Sequence, residues 1–98
     1  MRSEIPEQGG DVTTLVVIHE VEDVEAWLAS SRRDELFAPL GMTARAFRDP
    51  AGSNWVALIA EAPDVDEWHR VRGTDEAIEA MLLDGLRLET IVELVEAE

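Results

Sequence analysis

The chain has 98 residues, 22 of them acidic and only eight basic, all eight being Arg, for a formal net charge of -14. That length carries one modest core, and so acidic a field repels phosphate backbones and anionic lipid, making nucleic acid and membrane surfaces poor partners. The absence of Cys, Lys and Tyr removes thiolate, Schiff-base and phenol chemistry.

Residues 1–10 are polar, with Pro6 and a Gly9-Gly10 pair, and read as a disordered leader before a single domain over 11–98. The leader lacks a signal-peptide core, and no apolar run nears the ~20 residues of a membrane span, so a cytoplasmic protein is expected. From Val12 to Val21 the β-branched content and the run Leu15, Val16, Val17, Ile18 predict a central strand covered on both faces. A helix is then predicted from Asp23, which can cap it, with Glu25 in the first turn and Val24, Trp27 and Leu28 at helical spacing. The charged stretch Arg32 to Glu35 breaks that stripe, predicting a kinked or divided helix, and Pro39 with Gly41 closes it.

Thr43 to Arg48 and Asn54 to Ala62 read as two strands of a hairpin joined through the turn residues Asp49-Pro50-Ala51-Gly52-Ser53. After Pro63, Asp64 with Glu67 three residues on resembles a capping box and starts a second helical region to about Arg72. Gly73 and Thr74 interrupt it, and helix resumes over Asp75 to Leu83, with Gly85 at its stop. Leu86 to Glu96 alternates as a last strand. The fold class is therefore α+β: a ferredoxin-like β-α-β-β-α-β unit with a four-stranded antiparallel sheet, helices on one face and the other bare.

Because successive strand residues point to opposite faces, the side chains sort into two sets. Ala44, Ala46, Val56, Leu58, Ala60, Leu88, Val92 and Leu94 form the expected helix-covered set. Arg45, Phe47, Trp55, Ala57, Ile59, Glu61, Glu89, Ile91, Glu93 and Val95 form a mixed set, and His19 is assigned to it. Aromatic, apolar and ionisable groups on one sheet face are what a small-molecule pocket requires.

The run Ile18-His19-Glu20-Val21-Glu22-Asp23-Val24-Glu25-Ala26-Trp27 resembles the strand-to-helix signature of the dimeric α+β barrel superfamily, and the hairpin Arg45 to Asp49 with Asn54 to Leu58 is similar to its middle hairpin. The superfamily includes antibiotic-biosynthesis monooxygenases, haem-degrading enzymes, polyketide cyclases and muconolactone isomerases, besides stress-responsive proteins. The resemblance, over Val12 to Glu96, implies a homodimer joined through the bare sheet face, with a cavity between sheet and helices or at the shared barrel. Cofactor-free monooxygenases of this type use Asn and Trp near the pocket; Asn54 and Trp55 are adjacent on one strand and so point apart. A haem-degrading member carries Asn in the first strand, which this chain lacks.

His19 is the candidate catalytic acid or base, since an imidazole titrates near neutral pH; the competing reading is a hydrogen-bonded structural histidine. Arg45, Phe47, Trp55, Ile59 and Glu89 are the candidate substrate-binding residues, Arg45 orienting a substrate oxygen and Trp55 with Phe47 forming an apolar wall. Trp27 and Trp68 fall at core spacing, and His69 reads as a surface residue. No metal-ligand spacing, phosphate loop or nucleophile elbow is present, so neither metal nor cofactor is expected. Two functions compete: a homodimeric protein acting on a hydrophobic or aromatic metabolite as a cofactor-independent oxygenase, cyclase or isomerase, and a non-enzymatic dimeric binding or stress-related module. An RNA-recognition domain shares the strand order but needs a basic platform.

Overall fold

The computed structural model describes residues 12–97, so the expected leader over 1–10 lies outside the described residues. Strand β1 (Thr13–Val21) leads into α1 (Val24–Ala29) and α2 (Arg32–Phe37), followed by a 3-10 turn at Ala38–Leu40. The hairpin is β2 (Thr43–Arg48) with β3 (Trp55–Ala62); α3 (Val65–Arg72) and α4 (Asp75–Leu83) come next, and β4 (Leu86–Val95) ends the fold. The sheet runs β2-β3-β1-β4 with every pairing antiparallel, and β1 is internal.

Both helical regions are divided where their sequence weakens. Asp23 caps α1 by accepting from the Ala26 amide at 3.1 Å. The helix stops at Ser30, whose hydroxyl bonds to Asp84 at 2.7 Å and receives the Arg32 amide at 3.1 Å. Competition by a serine hydroxyl for backbone groups is why the chain restarts as a separate α2. Asp64 caps α3 through the Glu67 amide, and Thr74, at the Gly73-Thr74 break, caps α4 through the Ala77 amide. Gly85 has φ +82° and its carbonyl accepts from the Glu22 amide at 2.8 Å. A Cβ there would lie 3.3 Å from Glu22 Cβ, so both the left-handed backbone and the close approach call for glycine.

The core lies between the sheet and the helices. Leu15 and Val21 of β1 and Val56, Leu58, Ala60 and Ala62 of β3 meet Trp27, Phe37, Met42 and Trp68, all buried. Phe37 and Trp68 contact edge to face with ring centroids 5.3 Å apart. On the opposite sheet face Phe47 and Trp55 are each 42% exposed, Val92 48% and Leu94 55%. No element of the described chain covers them, an unusual amount of apolar surface to leave in water.

Three expectations about the sheet are corrected. His19 belongs to the helix-covered face: it pairs with Val56 and shares the parity of Leu15 and Val21, and it is 1% exposed. Beyond the irregularity in β4 the two assigned sets are exchanged, Val92 and Leu94 facing out and Ile91 and Glu93 facing in. The pairs Ile18↔Val92 and Glu20↔Arg87 leave one β1 residue, His19, opposite four of β4, 88–91, and an odd excess reverses the parity of everything beyond it. Ala44 and Ala46, although level with Ala60 and Leu58, are exposed, because β2 is an edge strand that the helices do not reach.

Candidate functional site

Between the helices and the sheet lies a partly open cavity of about 70 Å³. Its floor is β1 and β3 (Leu15, Val17, His19, Leu58, Ala60), and Ile91 and Glu93 of β4 complete one side. Trp27, Phe37, Met42 and Trp68 form the apolar wall, while Arg32, Arg33, Arg72 and Asp84 bring charge to its margin. An apolar hollow with a few convergent polar groups has the character of a small-molecule site. Among the described residues no group of three or more His, Asp or Glu side chains is placed to hold a metal ion.

His19 sits on the floor against Trp27, the rings edge to face with centroids 5.6 Å apart. Burial pushes its pKa below 6.5 and the nearby positive charge of Arg33 pushes the same way, against a backbone hydrogen bond at Glu20 that raises it. The imidazole is therefore neutral at pH 7, and its Nδ1 has no hydrogen-bond partner. Arg33 lies over the indole of Trp27, its guanidinium carbon 4.7 Å from the ring centroid. Its Nη1 is also buried without a partner.

Glu93, with a side chain only 10% exposed, is held at three points. The Trp68 indole N–H donates to Oε1 at 3.2 Å, Arg72 Nε lies 3.5 Å from the same oxygen, and His69 Nε2 lies 2.5 Å from Oε2. Burying a carboxylate at the edge of an apolar hollow is costly without such hydrogen-bond partners. Asp84, 7% exposed, is similarly matched by Arg32 at 2.8 Å and by Ser30.

The residues expected to form one site are divided between the two sheet faces. His19 faces the cavity; Arg45, Phe47, Trp55 and Ile59 share the bare face, with Arg45 5.6 Å above the ring of Phe47. Glu89 is exposed within the irregular stretch of β4, and Arg45 is out of its reach because β2 and β4 are opposite edges of the sheet. Within one protomer these five side chains therefore do not line the cavity that His19 enters. Asn54 is engaged structurally: its Nδ2 donates to the carbonyls of Val21 at 2.7 Å and Glu22 at 3.3 Å, fastening the end of β1 to the start of β3.

Sequence reasoning missed Arg33 and Arg72. Arg33 was legible only as part of a charged break in a helix, and the break itself is what turns it back over Trp27. Glu93 was assigned to the wrong face, and His69, read as a surface residue, is joined to it.

No protein-family model matches the sequence, and no curated protein does. Solved structures do share its fold. SnoaB from Streptomyces nogalater, a cofactor-independent oxygenase, superposes with a TM-score of 0.65 at 18% identity, over 90% of this chain and 93% of that one. A putative antibiotic biosynthesis monooxygenase from Bordetella bronchiseptica gives 0.66 at 17% identity over 91% and 97%. PA3566 from Pseudomonas aeruginosa gives 0.58 at 13% identity over 94% and 98%. The chain thus shares the ferredoxin-like fold of these structures.

Proposed function

We propose that this chain is a homodimeric small-molecule protein that takes a hydrophobic or aromatic metabolite into the cavity between sheet and helices, in the manner of a cofactor-independent oxygenase, cyclase or isomerase. The observation that carries this reading is the buried, unpartnered Nδ1 of His19 on the floor of an apolar hollow. A neutral imidazole there can take a proton at Nδ1 from an acidic O–H or C–H of the ligand and, as Nδ1–H, hold the resulting anion until the proton is returned. The SnoaB likeness supports the class of chemistry. The bare face, with Phe47, Trp55, Val92 and Leu94 exposed, supports self-association, because a two-fold dimer covers the same patch on both copies. Arg45 and Ile59 belong to that contact in this reading, and the candidate binding role of Arg45, Phe47, Trp55, Ile59 and Glu89 passes to the interface or to a space the two copies share.

The cavity reading is tested by replacing His19 with Gln and with Ala and following turnover of aromatic, enolisable substrates under air. Loss of turnover with retained ligand binding supports the acid–base role, and unchanged rates in both variants remove it. The non-enzymatic binding module is favoured by one observation: Asn54, the Asn neighbouring a Trp in sequence, is committed to the backbone of Val21 and Glu22. A protein that binds ligand but leaves it unaltered under all conditions is that module.

A further inference from the structure

Given that the cavity is the ligand site, we propose that its ligand is a single-ring organic anion whose charged oxygen is received jointly by Arg33 Nη1 and His19 Nδ1. These are the two buried side-chain nitrogen or oxygen atoms without a hydrogen-bond partner among the described residues, and both residues line the same hollow. They flank one ring, His19 meeting Trp27 edge-on and Arg33 lying across it. Folded proteins leave few buried polar groups unpaired, since each costs ~1–3 kcal/mol and more when charged. Two such atoms at one cavity point to something that arrives from outside.

The sign of the missing partner follows from pairing the charges at the cavity margin. Arg32 is matched by Asp84, and Arg72 by Glu93. Arg33 has no carboxylate within 4.0 Å among the described residues. A protein of net charge -14 thus presents one uncompensated cation to a hollow whose other lining charges are paired. One negative charge satisfies it. A bridging water would occupy both nitrogens without neutralising the guanidinium. A phosphate dianion would bring more acceptor oxygens than these two donors meet, whereas a carboxylate or a phenolate offers one charge on one or two oxygens.

Size narrows the class further. A cavity of about 70 Å³ admits on the order of five waters at ~10–15 Å³ each, and lies well below the ~300–1,000 Å³ of drug-sized sites. A benzene ring is held by an apolar cavity of ~150 Å³, so one ring occupies this hollow only by reaching into its open margin, and a fused polycyclic skeleton would displace Trp27 or Phe37.

Calorimetric titration of the full chain at fixed ionic strength tests this with benzoate, p-nitrophenolate and the neutral isostere benzyl alcohol, against wild type, Arg33→Gln and Arg33→Lys. The expected result is that at least one anion binds about tenfold or more tightly than benzyl alcohol, as one charge-assisted hydrogen bond provides. The stronger anion identifies carboxylate or phenolate as the source. Arg33→Gln should erase the preference while benzyl alcohol binding persists, and Arg33→Lys should keep part of it, which separates charge recognition from misfolding. Equal affinity for anion and alcohol in the wild type, as a bridging water would give, or an undiminished preference in Arg33→Gln, overturns the anion assignment and leaves the cavity as a neutral ligand site. No heat with any probe at millimolar concentration overturns both this assignment and the cavity reading beneath it.

Discussion

The amide of Glu20 donates to the side-chain oxygen of Thr90 at 2.9 Å, where an unbroken ladder would have used a backbone carbonyl. The same hydroxyl donates to the Arg87 carbonyl at 2.6 Å. Thr90 therefore closes the irregular stretch of β4 on both sides, replacing the backbone pairing that the extra residues interrupt. Arg87 reinforces the junction from outside, reaching Glu22 at 3.1 Å and Glu20 at 3.5 Å.

Replacing Thr90 with Val keeps the shape and removes both bonds. The Glu20 amide and the Arg87 carbonyl lose their partner, at a cost of about 1–3 kcal/mol. Urea denaturation should show that loss, and amide exchange should show Glu20 unprotected. A variant as stable as wild type, with Glu20 still slow to exchange, would mean that the junction does not depend on the hydroxyl.

Charge on the bare sheet face should separate the proposed dimer. Trp55→Glu or Leu94→Arg places an ion on the exposed apolar face without touching the core, since both side chains lie across the sheet from the helices. Interface residues that act as anchors, large aromatics above all, contribute about 2 kcal/mol or more, so association should weaken by roughly thirtyfold or beyond. Sedimentation velocity over a concentration series reads this directly. A monomeric wild type would contradict the dimer at once.

Acid should weaken the fold through His19. Its folded pKa lies below the unfolded value of 6.5, so as pH falls past that value the unfolded chain binds a proton that the folded chain refuses. Stability should decline as pH drops from 6.5 toward the folded value and level off below it; at higher pH the group contributes no slope. Glu22, Asp49 and Glu67, lowered by hydrogen bonds to Arg87, Ser53 and Arg70 respectively, act in a separate and more acidic window, the two Glu losing their contributions as pH falls below 4.5 and Asp49 below 3.8. Denaturant midpoints measured at intervals across the window below pH 6.5 should slope in wild type and flatten in His19→Gln. An equal slope in both would assign the acid sensitivity elsewhere.

Glu93→Ala should loosen the far end of the cavity. The Trp68 indole N–H loses its acceptor, and Arg72 and His69 lose their carboxylate, a change of about 1–3 kcal/mol because those two side chains are partly exposed and regain water. Thermal melts report the loss, and the indole N–H proton resonance of Trp68 should move upfield. Persistence of that resonance at its wild-type position would show the bond to be unimportant in solution.

The order of elements was legible because each boundary has a local chemical cause: Asp23 and Asp64 cap, Ser30 and the Gly73-Thr74 pair interrupt, and Gly85 turns. The bare face was legible in the hairpin, where β2 and β3 alternate without interruption and Phe47, Trp55 and Ile59 keep one parity. In β4 it was not. Leu88, Thr90, Val92 and Leu94 look like one face of a regular strand, and only the pairing with β1, distant in sequence, reveals that the parity changes between Arg87 and Val92. His19 was misplaced for a related reason, because the run Leu15 to Ile18 is apolar throughout and offers no alternation from which to count. Arg33 depended on a helix break whose angle no residue spacing encodes.

The three tryptophans have been divided by the fold between two environments. Trp27 and Trp68 are dry, one beneath a guanidinium and the other bonded to a carboxylate, whereas Trp55 stands 42% exposed on the opposite surface. In a chain without tyrosine, ultraviolet emission is thus the sum of a short-wavelength part from beside the hollow and a long-wavelength part from the sheet exterior. Filling the hollow perturbs the first, and joining two copies perturbs the second. The molecule carries built-in optical reporters able to tell occupancy from assembly without any added dye.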